Sequence, residues 1–302
     1  MPQIGRLLTA MVTPFTTDGE VNYDAAQDLA RRICADGADG IVVFGTTGES
    51  PALSDDEKIQ LIRVVKEAIP GKNVVAGTGG NNTRHSVELS ERAIAAGAEA
   101  LLCVVPYYNK PPQEGMYQHF RAISQVGPVI MYNIQSRTSV NMSVETTLRC
   151  AAEPGVIGVK EASGDITQMG FVRAGAPKDF LIWSGDDNFT LPLLSVGGYG
   201  VIASGMGHLA ARSMRRLIEA HLAGDNETAR DIHLGLLPLM KTLMTISTNP
   251  IPTKTALNEL GFPAGPFRLP LAPMSDADTK TVMAAVEAVG DLVTFNAQAA
   301  VR

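Results

Sequence analysis

Short apolar runs recur along the chain, and stretches long enough for a helix separate them. The runs are rich in valine, isoleucine, leucine and alanine, which is typical of strands buried on both faces. We predict strands at Leu7–Val12, Gly40–Phe44, Asn73–Ala76, Ala100–Val105, Val129–Tyr132, Val156–Lys160, Phe180–Trp183 and Gly200–Ala203. Eight regularly spaced strands that alternate with helices predict an α/β fold, the (β/α)8 TIM barrel, and disfavour an open doubly wound sheet.

The segments between the strands carry ordinary helix signals. Ser54 precedes three acidic residues and an apolar periodic stretch, which predicts a helix start. An amphipathic stretch ending at Gly97 predicts a helix that stops at a glycine. We predict that the barrel spans residues 1–224 and that residues 225–302, which carry three more helical patterns, form a C-terminal helical subdomain. This subdomain is expected to pack on the barrel or on a neighbouring subunit.

Composition narrows the class of protein. The 302 residues carry a net charge of −6, and the isoelectric point near 5.4 disfavours nucleic acid as a partner. Three widely spaced cysteines predict inert thiols in a reducing compartment, not a disulfide framework. The first residues lack the pattern of a signal peptide, and no apolar stretch approaches the roughly 18 residues of a membrane span. We therefore expect a cytoplasmic protein with no membrane partner.

Lys160 is the first candidate for chemistry, because it ends the buried sixth strand. Burial lowers the pKa of a lysine, and the neutral amine is a nucleophile that forms Schiff bases with carbonyl compounds. The alternative is a strand-end lysine that reaches solvent or pairs with Glu161. In a TIM barrel the reacting groups gather at the carboxyl ends of the strands, so the other strand ends decide between these interpretations.

Polar residues follow several of those strand ends. The candidates are Thr46, Thr47, Tyr107, Tyr108, Tyr132, Arg137, Asp186 and Asp187. Each has a plain alternative: the threonines could cap the next helix, the tyrosines could be surface aromatics, and the aspartates could begin a helix. Together a lysine, tyrosines, hydroxyls and one arginine around one barrel mouth favour Schiff-base chemistry on a carboxylated carbonyl compound.

The chain resembles the dihydrodipicolinate synthase family, in a superfamily that also contains N-acetylneuraminate lyase. The segments that carry the resemblance are "GTTGES", "PYYNKPPQEGMYQHF", "YNIQSRTS", "GVKEASGD", "SGDD", "GGYGVI", "NPIPTK" and "RLPL". They run from Gly45 to Leu271 in the family's order. The resemblance implies condensation of pyruvate with aspartate semialdehyde to 4-hydroxy-tetrahydrodipicolinate, in lysine and diaminopimelate biosynthesis, without a metal or organic cofactor. It also implies a homodimer or a homotetramer built as a dimer of dimers.

The resemblance also implies catalytic roles. Lys160 would form the imine with pyruvate, and Tyr132 would shuttle protons beside it. Thr46 would link Tyr132 to Tyr108, which a neighbouring subunit supplies in this family.

Four further residues would bind substrates. Thr47 would hold the carboxylate of pyruvate, and Arg137 would hold that of aspartate semialdehyde. Gly185 and the backbone carbonyl of Ile202 would line the pocket. The first alternative function is that of an aldolase or lyase of the same superfamily that acts on a 2-keto sugar acid. Those lyases generally lack an arginine at this position, so Arg137 favours the synthase. The second alternative is a catalytically silent regulatory homologue.

Three departures from the family's pattern bear on this choice. Gln135 stands where proline is common, and Ser139 stands where glycine is usual, which matters if its φ is positive. After "GGYGVI" the chain reads "ASGMGHL", which differs from the sequence that is usual in the family. This segment is expected to form one wall of the pocket, so the identity of the second substrate stays open. His208 lies in this segment, and a structural role is the more expected one.

Five positions correspond to the site at which lysine regulates family members. They are Ser50, Lys58, Asn81, His85 and Tyr107. Members that lysine inhibits tend to carry histidine at Lys58 and glutamate at His85, so we predict weak or absent inhibition by lysine. The five histidines show no metal-ligand spacing, and no metal site is predicted.

Overall fold

The computed structural model describes residues 3–297 and contains a closed barrel of eight parallel strands in chain order. The strands are β1 Leu7–Ala10, β2 Gly40–Val43, β3 Asn73–Ala76, β4 Ala100–Val104, β5 Val129–Asn133, β6 Val156–Glu161, β7 Leu181–Ser184 and β8 Gly200–Ala203. β8 pairs with β1 and closes the sheet. The predicted TIM barrel is confirmed, and each predicted strand overlaps an observed one.

Helices surround the barrel and continue beyond it. They are α1 Tyr23–Ala35, α2 Asp55–Ala68, α3 Thr83–Ala95, α4 Gln113–Ile123, α5 Gln135–Thr138, α6 Val144–Ala151, α7 Ile166–Gly175, α8 Thr190–Ser195, α9 Gly205–Leu209, α10 Ala211–Leu222, α11 Asn226–Thr245, α12 Ile251–Glu259 and α13 Asp276–Ala288. In residues 3–297 no helix combines the length and the apolar character that crossing a membrane requires.

The two helix signals read from the sequence are confirmed. Ser54 caps α2 as part of a capping box: its Oγ accepts a hydrogen bond from the Glu57 amide at 3.3 Å, and the Glu57 carboxylate accepts one from the Ser54 amide at 2.8 Å. Gly97 follows the end of α3 with a φ of 105°, a conformation that favours glycine.

Alternation along the strands produces two hydrophobic layers. On β1, Leu7 packs with the helices, whereas Leu8 points into the barrel. Trp183 fills the interior, is fully buried, and donates from Nε1 to the Gly5 carbonyl at 3.0 Å. The interior is therefore packed below its carboxyl end, and only the mouth is open for a ligand.

The segment after α10 packs on the barrel. α11 lies against α10, and α12 lies against α9 and α13. The amides of Thr294 and Phe295 donate to the Leu209 carbonyl at 2.8 and 3.1 Å. The division of the chain into a barrel and a helical subdomain between residues 224 and 225 stays a prediction. Residues 1–2 of the first predicted unit and residues 298–302 of the second lie outside the described residues.

Candidate active site

Lys160 and Tyr132 face each other across two adjacent strands. The parallel register pairs Tyr132 of β5 with Lys160 of β6, and Lys160 Nζ lies 4.5 Å from the centre of the tyrosine ring. Both side chains are buried. Glu161 points to the other side of β6, where its carboxylate accepts hydrogen bonds from Asn133 Nδ2 and the Ser163 amide. The predicted alternative, a solvated lysine paired with Glu161, is wrong.

Burial controls the charge state of this pair. Desolvation lowers the pKa of Lys160 to about 8, although the nearby carboxylates of Asp186 and Asp187 oppose the shift. Burial also raises the pKa of Tyr132, and the charge of Asp186 raises it further. The pKa of Asp186 itself rises to about 6 through burial, against the opposing effect of Lys160. With a pKa of about 8, roughly one tenth of Lys160 is the neutral nucleophile at pH 7, far more than for an ordinary lysine.

The loop after β2 brings two hydroxyls to the same mouth. The Thr46 side chain lies beside Tyr132 and lowers its pKa, against the larger effect of burial. Thr47 is buried, and its Oγ1 accepts a hydrogen bond from Asn249 Nδ2 at 2.9 Å. The nearest helix, α2, is capped by Ser54 instead, so the alternative role of these threonines as helix caps is wrong.

Arg137 supplies a cation at the rim. Its guanidinium lines the cavity at the mouth, and Nη2 donates to the Asn249 carbonyl at 3.2 Å and to Thr248 Oγ1 at 3.4 Å. It lies on the short helix α5, which begins at Gln135 and ends at Thr138, with Ser139 as the residue that caps its carboxyl end. Ser139 has a φ of 61°, so the glycine usual at this position would relieve a left-handed conformation here.

Gly185 leaves room beside the lysine. A Cβ atom at this position would lie 3.2 Å from Lys160 Cε and 2.6 Å from Ala162 Cβ. Ile202 is fully buried on β8 within the barrel interior. Gly185 directly follows β7, and Ile202 lies one residue before the end of β8. Neither lines the cavity at the mouth, so their role in lining the pocket stays a prediction.

Tyr108 stands apart from the other candidates. It adopts a left-handed φ of 71° and is 90% exposed, so a single chain does not bring its ring into the mouth. Its neighbour Tyr107 lines the cavity.

A cavity of about 420 Å³ opens from this mouth. Its walls include Thr46, Tyr132, Arg137 and Asn249, and at the other end Ser50, Lys58, Asn81, His85 and Tyr107. The volume suits a small-molecule ligand. The five predicted regulatory positions are therefore brought together, and they share one continuous cavity with Thr46, Tyr132 and Arg137. Lys160, Thr47, Gly185 and Ile202 are not among the residues that line it.

Two of these positions, Lys58 and His85, share one carboxylate. Lys58 Nζ lies 3.5 Å from one oxygen of Asp55, and His85 Nε2 lies 2.8 Å from the other. Lys58 is only 8% exposed. The positive charge is thus fixed at the cavity wall.

The segment after β8 has a structural role. Asp187 is buried and accepts hydrogen bonds from the amides of Ser204 and Met206 at 3.0 and 2.9 Å. His208 accepts from the Val12 amide through Nε2 at 3.1 Å, which supports the structural role expected for it. Among the described residues, those from 204 to 209 do not line the cavity. Within residues 3–297 no group of three or more metal-binding side chains comes together.

Three functional-site residues were missed by the sequence analysis. Glu49 and Asn249 line the cavity, and Lys254 forms a buried ion pair with Glu49 at 2.8 Å. All three belong to segments that carry the family resemblance, "GTTGES" and "NPIPTK". That membership was the available signal, but residue type alone did not show that they meet.

Comparison with known proteins agrees with this geometry. The chain is 50% identical over 291 residues to the 4-hydroxy-tetrahydrodipicolinate synthase of Moorella thermoacetica, covering 95% of this chain and 99% of that protein. It is 49% identical to the corresponding synthase of Symbiobacterium thermophilum, with coverage of 97% and 100%. The crystal structure of the dihydrodipicolinate synthase of Cyanidioschyzon merolae with lysine bound is 42% identical, with a TM-score of 0.92 and coverage of 95% and 98%.

A family model also matches almost the whole described chain. It is the model of the dihydrodipicolinate synthetase family, and it spans residues 3–289. The barrel, the strand-end lysine and the relatives lead to one assignment: the chain belongs to the dihydrodipicolinate synthetase family.

Proposed function

We propose that this protein is a 4-hydroxy-tetrahydrodipicolinate synthase, a lyase that condenses pyruvate with aspartate semialdehyde in lysine and diaminopimelate biosynthesis. The observation that carries the proposal is the buried amine of Lys160 against the Tyr132 ring, at 4.5 Å, at the open end of the barrel. The names of relatives that are 50% and 49% identical over nearly the full chain support the same reaction.

The chemistry begins at Lys160. Its neutral amine attacks the C2 carbonyl of pyruvate, and loss of water from the carbinolamine leaves an imine. Tyr132 and Thr46 carry protons to the departing hydroxyl and away from C3, and the imine becomes an enamine. Thr47 holds the pyruvate carboxylate, while Gly185 and the Ile202 carbonyl form the wall beside it. The lysine supplies the electron sink, so the proposed reaction uses no cofactor.

The enamine carbon then forms a bond with the aldehyde carbon of aspartate semialdehyde. Arg137 binds the carboxylate of that second substrate through two parallel hydrogen bonds. The amino group of the second substrate next attacks the imine carbon and closes the ring. Expulsion of the Lys160 amine releases 4-hydroxy-tetrahydrodipicolinate, so that one water is lost overall.

A dimer would complete the proton path. Tyr108 is 90% exposed at a left-handed backbone position, which suits a side chain that reaches into a neighbouring copy. In that arrangement Thr46 lies between its own Tyr132 and the partner's tyrosine. We therefore expect a homodimer or a homotetramer, and a cytoplasmic location where pyruvate is available.

Two experiments test the proposal. Borohydride reduction in the presence of pyruvate should leave a reduced pyruvyl group on the peptide that holds Lys160, and an unmodified peptide contradicts the imine chemistry. A coupled assay should then show turnover with pyruvate and aspartate semialdehyde, but not with N-acetylmannosamine. Turnover with the sugar aldehyde alone would favour the sugar-acid lyase.

A further inference from the structure

A buried ion pair connects the C-terminal helices to the catalytic loop. Lys254 of α12 is fully buried, and its Nζ donates to Glu49 Oε1 at 2.8 Å. The other carboxylate oxygen, Oε2, accepts from the backbone amide of Arg268 at 3.1 Å. The rings of Phe15 and Phe267, centred 4.2 and 5.2 Å from Nζ, cover the ammonium group. Neither the Lys254 ammonium group nor the Glu49 carboxylate is exposed to water that could replace its partner in the ion pair.

The surrounding charges balance. The Arg268 guanidinium, next to this pair, donates to both carboxylate oxygens of Glu57 at 2.9 and 2.6 Å. Two cations and two anions therefore meet in one cluster, and each cation has its own carboxylate. Removal of one partner of the inner pair leaves the other buried without compensation.

Glu49 is also the residue that shapes the loop. Its φ of 55° is left-handed, which is unusual for a residue other than glycine. Its backbone amide donates to the Thr46 carbonyl at 3.1 Å. The backbone of Glu49 is therefore tied directly to that of Thr46, whose side chain lies beside Tyr132.

A second bond from the same region holds the next hydroxyl. Asn249, just before α12, donates from Nδ2 to Thr47 Oγ1 at 2.9 Å, and its carbonyl accepts from Arg137. With the Thr47 oxygen accepting from the amide, its own hydroxyl hydrogen is free to donate to a substrate carboxylate. The segment around α12 thus holds this loop at two positions, Thr47 and Glu49.

We propose that Glu49 and Lys254 form a positioning pair that holds the loop Gly45–Ser50, and with it the hydroxyls of Thr46 and Thr47, in the arrangement that the imine chemistry requires. This inference rests on the proposed function, because the hydroxyls matter only if Lys160 and Tyr132 react as described. Lys254 does not line the cavity, and the Glu49 carboxylate is already bound by Lys254 and the Arg268 amide. The pair therefore acts through the backbone of the loop, and the C-terminal helices contribute to the active site by holding this loop in place.

The test uses the full-length protein and three variants. Lys254→Met removes the charge and keeps the length of the side chain. The double variant Lys254→Met with Glu49→Gln also removes the carboxylate that would otherwise stay buried alone. The control is Arg215→Met, which breaks the ion pair between Arg215 and Asp39 at the amino end of β2, away from the mouth. Each protein is assayed well below its own melting temperature.

The expected result separates positioning from stability. The double variant should melt at a higher temperature than Lys254→Met alone, yet kcat should stay roughly 10- to 100-fold below wild type, as a small misplacement of catalytic groups produces. Borohydride should still modify Lys160, but more slowly. Amide hydrogen exchange should accelerate in Gly45–Ser50 in both Lys254 variants. Arg215→Met should keep kcat within about twofold and leave this exchange unchanged.

Two outcomes overturn the inference. One is a double variant with the kcat of wild type, whatever its stability. The other is unchanged exchange in Gly45–Ser50, which needs no activity to be measured. Failure of the proposed function looks different, because the wild-type protein would then neither trap pyruvate nor condense the two substrates before any variant is compared.

Discussion

Lys160 Nζ lies 4.5 Å from the centre of the Tyr132 ring, and the two residues are direct partners in the register of β5 and β6. The amine and the phenol therefore share one buried space, in which water does not stabilise either charged form. This relationship makes the amine easier to deprotonate and the phenol harder to ionise. Most of the testable behaviour of the site follows from it.

Imine formation should depend on pH through Lys160. The ordinary pKa of 10.5 falls to about 8 in this site. Only the neutral amine attacks, so the rate of pyruvate trapping by borohydride at low pyruvate should rise about tenfold per pH unit and level off above pH 8. In Asp186→Asn the midpoint should move to lower pH, because the Asp186 carboxylate raises the pKa of the lysine. A midpoint near 10.5 in the wild-type protein would contradict this account.

The Thr46 hydroxyl should be required for proton transfer. Thr46→Val keeps the shape of the side chain and removes the hydroxyl that lies beside Tyr132. We expect kcat to fall by roughly 100-fold, within the range of general acid–base catalysis. Thr46→Ser retains the hydroxyl and should stay within a few-fold of wild type in the same coupled assay. Equal losses in the two variants would show that side-chain volume, not the hydroxyl, is what matters.

The sequence predicted the parts of the site that lie on strand ends. Lys160 and Tyr132 each end a recognisable apolar run, and a closed parallel barrel brings all such ends to one mouth. Their contact therefore needed no knowledge of long-range packing. The observed strand ends differ from the predicted ones by no more than two residues. These differences remain because the apolar pattern does not determine at which residue the strand hydrogen bonds end.

The contacts behind the loop could not be predicted in the same way. Glu49 and Lys254 are 205 positions apart, and no periodicity links a loop to a helix at that distance. The helical pattern around Lys254 gives the type of element but not the face that the barrel covers. Tyr108 is a further case, since its 90% exposure and left-handed backbone conformation cannot be read from the apolar pattern of β4.

Arg137 should determine the affinity for the second substrate. In Arg137→Met we expect kcat/KM for aspartate semialdehyde to fall by about 10- to 100-fold, as loss of charge-assisted hydrogen bonds predicts. Arg137→Lys should recover little, because an ammonium group does not make the paired contact. Pyruvate trapping on Lys160 should remain intact in both variants. Full activity of Arg137→Lys, or loss of trapping, would contradict this role.

Ser139 should be a site of stored backbone strain. Its φ of 61° is costly for a residue with a Cβ atom, so Ser139→Gly should raise the free energy of unfolding by about 0.5 kcal/mol, after the greater flexibility of glycine in the unfolded chain is included. Ser139→Val should lower it by more than about 1 kcal/mol. Denaturant unfolding measures both. A destabilised Ser139→Gly would show that the serine side chain contributes more than the backbone strain removes.

Lysine should be a weak inhibitor or none at all. Lys58 places positive charge at the cavity wall, with Asp55 as a partner that it shares with His85, and the ammonium groups of lysine would meet that charge. The coupled assay should therefore change little when lysine is added at about 1 mM, a typical concentration scale for small metabolites. The double variant Lys58→His with His85→Glu removes one cation and adds an anion, so it should become sensitive to lysine. Ser50, Asn81 and Tyr107 keep their polar groups in that variant. Half-inhibition of the unaltered protein below this lysine concentration would contradict the electrostatic argument.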